Sequence, residues 1–176
     1  MSWLTNQINN NPDRLFIFYN NRDYTFLDVG DMVSTYSRAL TKQGIKSGDK
    51  ILINLESSIE LVEIILSCFE LGAIAAPINP NMTDSEKGII ISEIDPKLII
   101  SSWNAKSIKI NSKFIIPIEE LPNSSGGCAI TNNSYKINLD DVCIIILTSG
   151  TTSIPKCVQL TYNNFYASCR NWNNFL

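Results

Sequence analysis

The chain has 176 residues, enough for one ordinary domain and too few for two well-cored ones. With 44% hydrophobic and 18% charged residues, it lies away from the low-hydrophobicity, high-charge corner where chains stay disordered. Fourteen basic against seventeen acidic residues leave a net charge of -3, which argues against a nucleic-acid partner, and the lack of histidine removes His-based catalysis, Ser-His and Cys-His pairs and HExxH zinc sites.

In chain order, Ser2 to Gln7 predicts a short helix, followed by a turn from Asn9 to Pro12 and two extended runs, Leu15 to Tyr19 and Asp23 to Phe26. Asn20-Asn21 between the runs suits a hairpin, because Asn tolerates the positive φ that tight turns require. Thr25 caps the next helix, with Asp28 completing a capping box and Val29, Val33, Tyr36 and Leu40 recurring at helical spacing until Gly44. The Gly48-Asp49 turn feeds a strand from Lys50 to Leu55. Ser57 or Ser58 then caps a helix that reaches Leu71 and closes at Gly72. Ala73 to Ile78 is a short strand stopped by Pro77 and Pro80, Ser85 to Ile94 a third helix and Leu98 to Ser101 a further strand. This β-α-β-α-β rhythm predicts an α/β fold: a doubly wound, mainly parallel sheet with helices on both faces.

The rhythm fails between Ser102 and Asn138, where Asn, Ser and Lys dominate, Lys113 to Ile118 alone is strand-like and Asn123 to Gly127 is loop. The organisation is therefore an N-terminal α/β unit over 1–101, a connector with one strand over 102–138, and a last unit over 139–176. That last unit opens on Val142 to Leu147, an apolar run that reads as a buried central strand. Cysteines stand at 68, 128, 143, 157 and 169, an odd number without a CxxC pair, which fits reduced thiols. Glu60, Glu63 and Glu70 interrupt the most hydrophobic helix, so no membrane span is expected, and Met1-Ser2-Trp3-Leu4 does not open like a signal peptide. A soluble intracellular protein is the expectation.

Three groups of residues weigh as structural. Glu56, Glu60 and Glu63 could suggest a metal site, but their helical spacing favours a solvated face. Trp3, Trp103 and Trp172 read as packing anchors, and Cys143 and Cys157 as buried thiols with only Lys156 nearby to lower a pKa.

The segment after the last apolar strand is different. Thr148-Ser149-Gly150-Thr151-Thr152-Ser153-Ile154-Pro155-Lys156 packs hydroxyls, a glycine and a lysine into nine residues. Glycine lets the backbone approach a phosphate, successive N–H groups and hydroxyls donate to it, and lysine neutralises its charge. Most such clusters are plain polar loops, so composition alone decides little. Pro155 rules out a Walker A loop, and no GxGxxG is present.

The order Thr-Ser-Gly-Thr-Thr-x-x-Pro-Lys resembles the TSGTTGxPKG phosphate-loop signature of the AMP-forming acyl-CoA synthetase, luciferase and peptide-synthetase adenylation family. Tyr24-Thr25-Phe26, Gly48-Asp49, Gly72 to Pro80, Asp140-Asp141-Val142 and Val158 to Asn164 stand in family order. The resemblance implies that Thr148, Ser149, Gly150, Thr151, Thr152 and Lys156 hold the β- and γ-phosphates of ATP, which enters with Mg2+. It also implies attack of a carboxylate on the α-phosphate and transfer of the acyl group to coenzyme A. Members of the family are several hundred residues long. Their adenine-binding segment, Gly-x-Thr-Glu motif, ribose-binding aspartate, hinge and C-terminal lysine domain are expected outside this chain, which reads as an N-terminal fragment without catalytic residues of its own.

Ser153 and Cys157 replace two family glycines, and a non-glycine residue forced into left-handed backbone costs about 1 to 2 kcal/mol. Tyr162 stands where many members carry histidine. Ser2-Trp3-Leu4 and Asn164-Phe165-Tyr166-Ala167-Ser168 are similar to runs in the 2-succinylbenzoate-CoA ligases of menaquinone and phylloquinone synthesis. Fatty-acid and aryl-acid ligases and amino-acid adenylation domains remain alternatives, as does an inactive nucleotide-binding remnant that pairs with a separately encoded remainder. The resemblance implies a cytoplasmic protein, or a stromal one if it is plastid-encoded.

Overall fold

The computed structural model describes residues 3–102, 114–121, 136–148 and 155–173. It opens with α1 (Trp3–Asn10), which runs past the expected end at Gln7. Asn10 and Asn11 account for the extension: their amides donate to Asn6 Oδ1 and Gln7 Oε1 one turn back, so asparagines that read as a turn serve as i,i+4 pairs. An antiparallel hairpin follows, β1 (Leu15–Tyr19) and β2 (Arg22–Thr25), joined by Asn20 and Asn21 at φ of 49° and 58°. β2 ends before Phe26 because Thr25 is the N-cap of α2 (Phe26–Lys42). Its hydroxyl accepts from the Asp28 N–H, while the Asp28 carboxylate accepts from the Thr25 N–H and hydroxyl. Those bonds hold the Asp28 carboxyl below its usual range. Trp3, although 52% exposed, packs edge-on against Phe16 and Phe26 and so anchors α1 to the hairpin and α2. Trp103 and the Trp172 side chain lie outside the described residues.

The main sheet contains β3 (Lys50–Asn54), β4 (Ile74–Pro77), β5 (Leu98–Ser101), β6 (Phe114–Pro117), β7 (Val142–Thr148) and β8 (Lys156–Thr161), in the order β6-β5-β3-β4-β7-β8. Every pairing is parallel except β7 with β8. α3 (Ile59–Leu71) connects β3 to β4, and α4 (Asp84–Ile94) carries the chain from β4 back to β5. Alternation along the strands then separates two cores. Ile51, Ile53, Ala75 and Ile100 meet α2 and α3 on one face, while Leu52, Ala76 and Ile99 meet Ile90, Ile91 and Ile94 of α4 on the other. The sheet is therefore doubly wound, mainly parallel and covered on both faces.

Local signals set each helix end. Ser58 accepts from the Leu61 N–H to start α3, and Gly72 at φ 67° ends it. Thr83 and Glu86 form a second capping box at α4. The connector supplies one strand, β6, which docks parallel to β5 and runs into a 3-10 turn (Ile118–Glu120); Lys113 and residues 123–127 lie outside the described residues. Among the described residues no helix is long and apolar enough to cross a membrane.

Two expectations change. The Val142 to Leu147 run is less buried than expected: among the described residues β7 lies between β4 and β8, its buried residues are Cys143, Ile144 and Ile145, and Ile146 is 38% exposed. Nor do Glu56, Glu60 and Glu63 form a solvated face. Glu56 is exposed and Glu60 half-buried, but Glu63 is only 3% exposed, because α3 packs α2 on one flank and the sheet on the other. Burial, with help from the Glu60 charge, pushes the Glu63 carboxyl up to about 8.

The folded state therefore favours protonated Glu63. Its contribution to stability is complete below an ordinary carboxyl pKa of 4.5 and is lost as pH rises toward about 8. The loss should be on the order of 3 to 5 kcal/mol. Thermal melts across that range should slope downward for the wild type, and Glu63→Gln should remove the slope; an unchanged slope would show that Glu63 ionises freely. Thr25→Ala should cost about 1 kcal/mol, read as a lowered melting temperature.

Candidate functional site

The described residues place the two ends of the hydroxyl-rich segment. Thr148 closes β7 and Lys156 opens β8, and the two are cross-strand partners in an antiparallel ladder. The Thr148 hydroxyl lies 3.5 Å from the Lys156 carbonyl oxygen, and both residues are exposed. Directly paired residues project to the same side of a sheet, so the hydroxyl and the ammonium share one face. Ser149, Gly150, Thr151, Thr152 and Ser153, which join them, lie outside the described residues. The turn springs from the carboxyl end of β7, the same sheet end at which the other parallel strands finish, and open α/β sheets bind ligands there.

The face that carries Thr148 and Lys156 continues into Ile146 and Val158, paired with each other and 38% and 39% exposed. The opposite face is closed. Leu147 and Cys157 pack against the α4 core, and the Glu93 side chain bears on the Cys157 thiol electrostatically. Burial first, and then the Glu93 charge, raises the Cys157 pKa, while burial carries Cys143 up to about 11. Neither thiol is prepared for nucleophilic work. Cys157 also departs from the strain expected of it: it sits in β8, and only Asn20, Asn21 and Asp95 have positive φ among described non-glycine residues. Replacing the family's glycine here requires no left-handed backbone.

At its far end the hairpin is pinned. Tyr162, the first residue of α5 (Tyr162–Asn173), donates its hydroxyl to the Phe69 carbonyl at 3.2 Å and packs edge-on against that ring. Thr161 caps α5, its hydroxyl accepting from the Asn164 N–H while Asn164 Oδ1 accepts from the Thr161 N–H and hydroxyl, and the backbone N–H groups of Tyr162 and Asn163 donate to the Asp141 and Leu139 carbonyls.

A second polar feature at the same sheet end was not recognised in the sequence. Asn54 and Ser101 are neighbours in the β3–β5 register, both buried, with Asn54 Nδ2 donating to Ser101 Oγ at 3.1 Å. The signal was a polar residue closing each of two otherwise apolar strands. Just beyond them opens a cavity of about 720 Å³, bounded by Leu55 after β3, Ser102 after β5 and Ile118 after β6, with α2 and α3 as walls.

The sequence matches the model of the family described as AMP-binding enzyme over residues 4–175. A 2-succinylbenzoate--CoA ligase of Oceanobacillus iheyensis is 32% identical over 170 residues, covering 94% of this chain and 35% of the relative. One of Geobacillus kaustophilus is 28% identical over 170 residues, covering 95% and 34%. Among solved structures, o-succinylbenzoate CoA synthetase (MenE) from Bacillus subtilis, bound with its product analogue OSB-NCoA, has a TM-score of 0.88 at 23% identity, covering 99% of this chain and 36% of that one. VinN in complex with 3-methylaspartate has a TM-score of 0.80 at 20% identity, covering 96% and 49%. These two structures share the fold. The chain spans about a third of the length of the curated relatives it matches. With nearly its whole length matched, the chain belongs to the AMP-binding enzyme family.

Proposed function

We propose that the whole protein is an ATP-dependent, AMP-forming acid–thiol ligase whose acid is 2-succinylbenzoate, and that residues 148–156 are its phosphate loop. The pairing of Thr148 with Lys156 carries this reading, because it roots a hydroxyl-bearing and an ammonium-bearing side chain on the same face of the sheet at the carboxyl end of β7. Family membership over residues 4–175 and the 2-succinylbenzoate--CoA ligase relatives support the reaction and the acid.

In the first step a carboxylate oxygen attacks the α-phosphorus of ATP, the new O–P bond forms, and the bond to the β-phosphate bridging oxygen breaks to release pyrophosphate. Negative charge accumulates on that leaving group. Lys156, the hydroxyls of Thr148, Ser149, Thr151 and Thr152, and the backbone at Gly150 are the donors assigned to it; preorganised donors there lower the barrier without needing a general base. In the second step the coenzyme A sulfur attacks the acyl carbonyl, AMP leaves, and the thiol proton passes to solvent. Mg2+ would arrive with ATP and offset charge on its phosphates. The bacterial relatives support a cytoplasmic location.

In the whole protein, Lys156→Ala should slow adenylation by roughly 30- to 1000-fold, about 2 to 4 kcal/mol, measured as acid-dependent ATP–pyrophosphate exchange. Thioester formation from presynthesised acyl-adenylate should barely change, because no pyrophosphate is present. Equal losses in both half-reactions would remove the assigned role. Exchange driven by a fatty, benzoic or amino acid but not by 2-succinylbenzoate would move the substrate assignment. Ser153→Gly should raise the exchange rate if left-handed backbone is required there. Cys157→Gly should instead lower stability by about 1 kcal/mol without a gain in rate, since glycine weakens a strand.

A further inference from the structure

We propose that the cavity at the carboxyl ends of β3, β5 and β6 is a binding site for an organic cation, a primary ammonium or guanidinium group carried on an apolar body. This site is independent of the phosphate-loop reading. Two acidic side chains reach it from different helices without a hydrogen-bond partner among the described residues. Asp31 Oδ1 of α2 is buried and unpaired, and Glu63 of α3, 97% removed from solvent, lines the cavity with no side-chain hydrogen bond among the described residues and only the Arg22 charge to favour its ionised form. A buried oxygen without a donor, as at Asp31, is costly, and a ligand with several N–H groups would supply one while pairing with Glu63.

Charge and shape favour the same class. Glu56 and Glu60 add acidic groups at the cavity, whose one basic residue, Arg22, lies over the Tyr24 ring at 4.7 Å. Met32, Leu55 and Ile59 supply apolar wall, and Tyr36, 1% exposed, lines the cavity as well. No set of these acids is gathered closely enough to chelate a metal ion among the described residues. Carboxylates spread along two helices instead suit a cation whose donors point in several directions.

The titratable groups that line the cavity with Glu63 are Arg22 and Tyr24 of β2, Asp28, Asp31 and Tyr36 of α2, Glu56 just before α3, Glu60 in its first turn and Glu119 after β6; the Glu60 charge raises the Glu63 carboxyl and the Arg22 charge lowers it. Burial and the Glu60 charge keep it protonated near neutral pH. Entry of a cation should therefore expel that proton to solvent as the carboxylate–ammonium pair forms.

Titration calorimetry of the intact protein with benzylammonium, in two buffers of different ionisation heat at about pH 7, tests the site. Expected are binding and release of close to one proton per amine. Glu63→Gln should bind about tenfold more weakly and release none, and Glu60→Gln should bind about threefold more weakly with release retained. Benzyl alcohol and benzoate should not compete. The proposal is overturned by absence of binding at about 10 mM amine, by binding without proton release in the wild type, or by equal binding of benzyl alcohol. Because proton release is read on the wild type, a poorly folded variant does not leave the question open.

Discussion

Burial of β3 on both faces is the constraint from which the rest of the architecture follows. Ile51, Leu52, Ile53 and Asn54 are without exposed surface, and the strand is hydrogen-bonded in parallel to β4 on one side and β5 on the other. Ile51 and Ile53 belong to the α2–α3 core and Leu52 to the α4 core, so neither layer can form without this strand. Once β3 is enclosed, its neighbours must also be apolar on both sides. Its carboxyl end must then leave the sheet through polar atoms that find partners inside the protein, as Asn54 does with Ser101.

Elements governed by local chemistry were legible in the sequence. The Thr25–Asp28 box, the left-handed Asn20-Asn21 pair, the Gly72 cap and the buried positions Val29, Val33, Tyr36 and Leu40 all follow from interactions within a few residues. What escaped depends on partners distant in sequence. Glu63 reads as a solvent-facing charge until α2 is laid over α3. Gly30 of α2 answers to a distant partner too: a Cβ there would meet Ile8 of α1, so the glycine permits close helix contact. Composition could not show that β7 is buried only in part, because a run of Val, Cys, Ile and Leu looks the same in either case. The glycine-to-cysteine change suggested strain because a family glycine was equated with left-handed backbone; at Cys157 the backbone is ordinary strand.

The carboxyl end of the sheet divides electrostatically. Beside β7 it presents Lys156 and a series of hydroxyls, with no acidic partner bonded to the lysine among the described residues. Beside β3, β5 and β6 it presents carboxyls from α2 and α3, with Asp31 Oδ1 buried and without a donor. One edge of one sheet thus offers opposite preferences a few strands apart, and the helices that cover the sheet, more than the strands, set the sign at each place.

The pinning of the β7–β8 hairpin is one-sided. Tyr162 and Asn163 clamp its far end to α3 and to the chain ahead of β7, while Thr148 and Lys156 at the near end are exposed and, among the described residues, bond only within their own ladder. Mechanically this is a beam built in at one end. A load applied at the tip bends such a beam about its root and does not slide the strands past each other, because the paired register resists shear along its whole length. Deflection is greatest at the Thr148–Lys156 rung and vanishes at the clamp, so a push on that rung tilts the two strands together while α5 and the core beneath keep their positions.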